Sequence, residues 1–414
     1  MSCLRPCRIN WLEVSKKSKA EVKHQAEPRR GEKAREETPS LGFSAAEFRR
    51  KLGRWYREHA RTLPWRGVDD PYATWLSEIM LQQTRVATVI DRYQEFLLRF
   101  PTISDLAKAD EADVLALWSG LGYYRRARML HRGAQFVERE MGGKLPRTVA
   151  ELRTLPGVGE YTAAAIASIA FGESVAVLDG NVERVLLRLM GEPEEKSGRA
   201  RTRLVAIAGM LVPPAKRASS AKGAAAGEMG NAAGDHNQAM MELGATICLP
   251  RSPLCLQCPV VELCRTRGEH VTAPRAKMQS RTVAHLLALR KRGVETEVLL
   301  ERRPDEASLM AGMLELPPLP LEATEGREPA LRLRHAITNT NYYVHVFTES
   351  VAPEDAVVQQ VVEHSLMEQI PAAKRDLEWV MTTKLAQLPL TGLTRKTLQR
   401  LQVMAVPQLR IGRE

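Results

Sequence analysis

Four of the six cysteines in this 414-residue chain fall within seventeen residues, as Cys248-x6-Cys255-x2-Cys258-x5-Cys264. Thiols this close in sequence converge on one place, either as metal ligands or as disulfides. Structural zinc sites usually pair two short hooks across a longer spacer, and only one C-x2-C hook exists here. Disulfides belong to oxidising compartments. The opening residues MSCLRPCRINWLEVSKK carry charges but no apolar stretch before a small-residue cleavage site, so secretion is not expected. Four thiolates in a loop between helices suit an iron-sulfur cubane, with zinc as the alternative that spacing leaves open.

The hydrophobic pattern on either side of that cluster differs. Residues 1–43 are rich in Lys, Arg and Glu and are expected to form a disordered basic tail. Ser44-Ala45-Ala46-Glu47 reads as a capping box opening a helix with Phe48, Leu52, Trp55 and Tyr56 on one face. From there to about Leu263 apolar residues recur at helical spacing, which gives a mainly α domain over 44–272. An Ala, Gly, Ser and Lys-rich stretch at 213–235 reads as a flexible insertion. After a linker at 273–281 the period changes. His285–Leu289 and Glu297–Leu300, separated by Lys291-Arg292-Gly293, predict a hairpin; Tyr342–Phe347 and Glu378–Val380 predict further strands. Residues 282–408 are therefore expected to form an α+β domain, with 409–414 as a tail.

Sixty Lys and Arg against 49 Asp and Glu give a net charge of +11, which favours a polyanionic partner. The longest nearly uncharged run, around Ala163 to Phe171, is far short of the ~20 residues that span a bilayer. A soluble monomer that engages no membrane is the expectation. Leu155-Pro156-Gly157-Val158-Gly159 joins two helical patterns, and its glycines let backbone amides approach a phosphate at the following helix start. An ordinary helix-helix turn would look the same. Asp179, in Leu178-Asp179-Gly180-Asn181-Val182, would by default be a helix cap. Glu78 lies among apolar neighbours in Trp75–Thr84, yet most helical Glu residues reach solvent.

Taken together, the hairpin, the downstream Asp and the four-Cys loop resemble the helix-hairpin-helix base-excision glycosylases. Leu63-Pro64-Trp65-Arg66, Ser77–Thr84, Gly120-Leu121-Gly122-Tyr123-Tyr124, Leu155–Gly159, Leu178–Val182 and Asn237–Gly244 narrow the resemblance to the MutY-type adenine DNA glycosylases. That resemblance implies a [4Fe–4S] cluster on Cys248, Cys255, Cys258 and Cys264, and a substrate of duplex DNA holding adenine opposite 8-oxoguanine or guanine. It implies that Glu78 protonates N7 of the adenine and that Asp179, oriented by Tyr161 and Asn181, stabilises the positive sugar. Trp65, Arg66, Leu81 and Glu242 would surround the extruded base. Gln83 and Tyr123 would enter the stack, and Leu155, Pro156, Gly157, Val158 and Gly159 would hold the backbone.

The second domain is expected to be Nudix-like and to read the lesion through Thr338 and Asn339. It lacks a Nudix hydrolase signature, and Ile337-Thr338-Asn339 stands where the family carries Phe-Ser/Thr-His. Deleting 282–414 is expected to spare excision and narrow the lesion preference. An endonuclease III type lyase would place a Lys where Tyr161 stands, so a monofunctional enzyme is expected. A non-catalytic iron-sulfur DNA-binding protein is the remaining alternative. Such an enzyme would work in the cytoplasm or nucleoid of a bacterium, or in a nucleus; protein partners are unknown.

Overall fold

The computed structural model describes residues 40–195, 197–215, 231–272, 277–307, 309–351, 365–370 and 376–405. The basic segment 1–39, the middle of the insertion (216–230) and 409–414 lie outside the described residues. The helical part runs α1 (Ala45–His59), α2 (Pro71–Leu81), α3 (Val86–Arg99), α4 (Ile103–Lys108), α5 (Glu111–Leu117), α6 (Arg125–Met141), α7 (Val149–Leu152), α8 (Glu160–Phe171), α9 (Gly180–Met190), α10 (Gly198–Leu211) and α11 (Ala232–Thr246). Ser44 caps α1 by accepting from the Glu47 amide, which places Phe48, Leu52 and Trp55 inward.

These helices enclose two apolar clusters. One gathers Trp75, Leu76 and Met80 of α2 with Phe96, Trp118, Leu130 and Ile166. The other joins Phe48 and Leu52 of α1 to Leu186 of α9, Ile207 of α10 and Leu243 of α11, with three of the clustered cysteines packed against it. The chain therefore leaves the second lobe after α1, builds the first through α8, and returns at α9. Residues from distant stretches meet in the cleft between lobes.

Three expected boundaries move. Leu41 is buried in the second lobe and Phe43 packs beside it, so part of the supposed tail belongs to the fold. Residues 231–235 are not loop: Asn231 accepts from the Gly234 amide and starts α11, whose Ala233 and His236 are buried. The linker also ends sooner, because β1 begins at Gln279, paired in parallel with Thr340.

The second region is a mixed sheet of β1 (Gln279–Arg292), β2 (Glu295–Arg302), β3 (Leu314–Glu315), β4 (Pro318–Leu319), β5 (Leu331–Ile337), β6 (Thr340–Val351) and β7 (Asp376–Met381). Its main order is β3-β2-β1-β6-β5, with β4 on β1 and β7 on β2. The expected hairpin is β1–β2, and helix α12 (Gly392–Arg400) covers one face through Leu398. Between β4 and β5 there is a single 3-10 turn, Glu322–Thr324, and no α-helix. The two regions pack against each other. Met313, beside β3, is fully buried in the first helical lobe.

Candidate active site and DNA-facing loops

Glu78 sits mid-way along α2, whose residues Tyr72–Met80 are all buried because α2 runs through the first lobe. Burial drives its carboxyl up to about 7; the nearby Asp179 charge adds to this, and a hydrogen bond from the Tyr161 hydroxyl opposes it. Tyr161 Oη donates to Glu78 Oε2 at 2.7 Å. This corrects the expectation that Tyr161 orients Asp179. Tyr161 lies in the first turn of α8, which packs on α2, so its hydroxyl meets Glu78.

Asp179 is oriented by others. It is the N-cap of α9, accepting from the Val182 amide at 2.7 Å, while Asn181 Nδ2 donates to its second oxygen at 3.1 Å. The acid that the resemblance singles out is thus also a helix cap. Burial raises the Asp179 carboxyl, and these two donors pull against that rise. Asn181 is braced in turn: Arg184 Nη2 donates to Asn181 Oδ1 at 2.9 Å and to the Gly244 carbonyl at 2.7 Å, while its Nε donates to the Cys248 carbonyl at 2.8 Å. Gly244 is needed because a Cβ there would meet Asn181 Cβ at 2.6 Å. The close approach of α11 to α9 depends on its bare backbone.

Glu78, Tyr161, Asp179 and Asn181 line one cavity of about 190 Å³ together with Trp65, Arg66, Leu81 and Glu242. Trp65 forms a wall, edge-on to Tyr93 at 5.4 Å. Glu242 is buried, and burial would raise its carboxyl, but hydrogen bonds from Arg61 and Arg66 hold it down to about 2. Arg61 was not anticipated. Its only sequence signal is proximity to Leu63-Pro64-Trp65-Arg66, whereas its fork reaches Glu242 across 181 positions. No lysine lines this cavity.

Gln83 and Tyr123 fall outside that cavity on two exposed loops, both in the left-handed region with φ of 55° and 49°. Side chains rarely adopt this backbone, and it concentrates at functional sites. Both line a larger cavity, about 1030 Å³, shared with residues 335–338 at the end of β5 and the start of its turn to β6. Thr338 is there, also left-handed at φ 51°, though its hydroxyl donates to the Ile337 carbonyl. Asn339 does not line this cavity. Sequence reading also missed Arg126, which fastens the two loops together. Its Nη1 donates to the carbonyls of Ile79, Met80 and Gln82 at the end of α2, and its Nη2 to Thr84 Oγ1 and the carbonyls of Leu121 and Gly122.

In the hairpin, Gly157 and Gly159 are exposed while Leu155 and Val158 turn into the first lobe's core. Only the backbone of those two apolar residues is available to a phosphate. Gly157 has φ 77°, and a Cβ would meet Met129 Cβ at 2.4 Å. Gly159 is the N-cap of α8 and presents the free amides of a helix start. Glu160 follows, 3.8 Å from Arg201.

The four cysteines line one apolar pocket between α9, α11 and the loop beyond, and all are free thiols. Burial pushes Cys258 up to about 11, with Cys248, Cys264 and Cys255 adding to the rise. Among the described residues no group of three or more His, Cys, Asp or Glu is disposed to hold a single metal ion. Buried Arg188 ties the loop down, donating to Leu249 and Pro250 carbonyls and approaching Cys248 Sγ at 3.5 Å. On the same loop, Arg265 and Arg267 turn back to the carbonyls of Met190, Leu41, Cys264 and Glu262.

Residues 76–207 match the family model described as HhH-GPD superfamily base excision DNA repair protein. The chain is also similar to proteins named adenine DNA glycosylase. It is 48% identical over 230 residues to the one from Homo sapiens, covering 53% of this chain and 39% of that protein. It is 37% identical over 220 residues to one from Buchnera aphidicola, covering 53% of this chain and 58% of the relative. The chain thus spans roughly two to three fifths of the relatives it matches. A thermostable thymine-DNA glycosylase structure aligns at 29% identity and TM-score 0.47, over 54% of this chain and 96% of that one. No helix among the described residues is long and apolar enough to cross a membrane.

Proposed function

We propose that this chain is a monofunctional adenine DNA glycosylase acting on adenine opposite 8-oxoguanine or guanine. The observation that carries the reading is a base-sized cavity holding a carboxyl driven to about 7 beside a second acid capped by a helix start. One is poised to donate a proton at neutral pH; the other has amide donors that favour its charge.

Protonated Glu78 transfers its proton to N7 of an extruded adenine, the C1′–N9 bond breaks with its electron pair leaving on the base, and Asp179 faces the positive sugar. Water then adds to C1′ and loses a proton. Tyr161 holds Glu78 in place, and Arg61 and Arg66 keep Glu242 charged and fixed as a polar wall. Extrusion costs a few kcal/mol of lost stacking, for which Gln83 and Tyr123 would substitute. Without a cavity lysine there is no amine for a Schiff base, so borohydride should trap no covalent adduct.

The four cysteines fit a [4Fe–4S] cluster, since four thiols and no other metal-binding side chain line one apolar pocket. Cys248, Cys255, Cys258 and Cys264 would be its ligands; the core would compensate the charge of their thiolates and fix the loop. The sheet region is read as a Nudix-like lesion reader, contributing Thr338 from the shared cavity and, from the same turn, Asn339 at its margin.

The test is a single-turnover assay on duplexes with adenine opposite 8-oxoguanine, guanine, cytosine and thymine. Release opposite 8-oxoguanine and guanine ahead of the others supports the reading; equal release opposite all four, or none, refutes it.

A further inference from the structure

The loop carrying Tyr123 is held from two sides. On the helical side Arg126 bonds its Leu121 and Gly122 carbonyls. On the other, the residues bracketing it are bound by the C-terminal domain. Ser119 Oγ and Tyr124 Oη both donate to the Leu390 carbonyl, at 3.3 and 3.1 Å, and Arg395 Nε of α12 donates to Ser119 Oγ at 2.5 Å. Ser119 is fully buried and Arg395 nearly so, although one Arg395 nitrogen, Nη2, is buried without a hydrogen-bond partner. A buried guanidinium with one donor unmet costs free energy, and such an exception calls for an explanation. Leu390 is itself held in register by a bridge to Leu314 of β3.

We propose that Arg395, together with the Leu390 carbonyl, is a positioning element for the base-extruding loop: by fixing Ser119 and Tyr124 it holds Tyr123 between them in its left-handed conformation. The proposal rests on the reading that Tyr123 enters the stack. It makes the C-terminal domain part of the extrusion machinery as well as a candidate lesion reader. Removing 282–414 would then free the Tyr123 loop and empty the site of Met313 in the helical core.

The experiment uses the full-length protein with Arg395→Met and Arg395→Lys. Hydrogen exchange is measured first without DNA, because it does not depend on the activity. In Arg395→Met the amides of 120–124 should exchange at least about tenfold faster while those of α8 are unchanged, and Arg395→Lys should lie between. Single-turnover release is then compared on an adenine:8-oxoguanine duplex and on adenine in a short unpaired bulge, where extrusion costs less. The Met variant should lose about tenfold or more on the duplex and much less on the bulge. Unchanged exchange at 120–124, or equal loss on the two substrates, overturns the proposal. If Arg395→Met also loosens α8, the Lys variant decides, and wild-type protection at 120–124 in it would overturn the role of the Nε contact. Should the wild-type protein release no adenine at all, the functional reading fails while the exchange measurement still judges the loop.

Discussion

Tyr161 Oη donates to Glu78 Oε2 at 2.7 Å inside the cleft between the two helical lobes. The phenol favours the charged form of a carboxyl that burial drives toward neutrality. Replacing Tyr161 with Phe leaves burial unopposed and raises the Glu78 carboxyl further. Because the protonated acid is the working form, the alkaline limb of the single-turnover pH profile should move to higher pH. A limb that stays or moves down would assign that ionisation elsewhere.

Glu78→Gln should abolish adenine release while retaining duplex binding, and it should also stabilise the fold in a pH-dependent way. A carboxyl raised from 4.5 to about 7 costs the folded state nothing below pH 4.5, and the cost grows as pH rises to about 7. At ~1.36 kcal/mol per unit the full cost is on the order of 3 kcal/mol. Urea unfolding of Glu78→Gln and wild type should coincide near pH 4 and separate at pH 8, with the variant more stable. A constant difference across that range would mean the effect is packing.

Asp179 separates into two roles by two substitutions. Asparagine caps a helix about as well as aspartate, whereas alanine costs about 1 kcal/mol at such a position. Asp179→Asn should therefore stop excision with wild-type stability, and Asp179→Ala should stop it with a lower unfolding midpoint. Full activity in Asp179→Asn would leave the residue a cap only.

Arg126 spans six acceptors with one planar fork, which a lysine ammonium does not reproduce. Arg126→Lys should slow excision from duplex DNA by about tenfold or more, the equivalent of ~1.4 kcal/mol. In Arg126→Met, which removes the charge, the salt dependence of binding should be unchanged, because the guanidinium faces carbonyls and not phosphates. A flatter salt slope would make it a phosphate contact instead.

Protein purified without oxygen should carry about four irons per chain. Cys258→Ser should lower iron content and stability together, since Cys258 packs against the second lobe. Stoichiometric zinc in place of iron would overturn the assignment.

The sequence by itself determined the helical region, the hairpin β1–β2 and the clustering of four thiols, because periodicity, turn residues and spacing are local properties, whereas Glu78 and Asp179 were singled out only by the family resemblance. It could not assign Tyr161, because a hydroxyl's partner depends on how α8 packs on α2, and it chose Asp179 where the structure gives Glu78. Arg61 reaching Glu242 and Arg126 joining two loops were invisible for the same reason: long flexible cations choose acceptors after the backbone has placed them. Leu155 and Val158 looked like part of an outward-facing hairpin until packing turned their side chains inward. The dependence of Ser119 and Tyr124 on Leu390, more than 260 positions away, exists only once the sheet has docked against the helices.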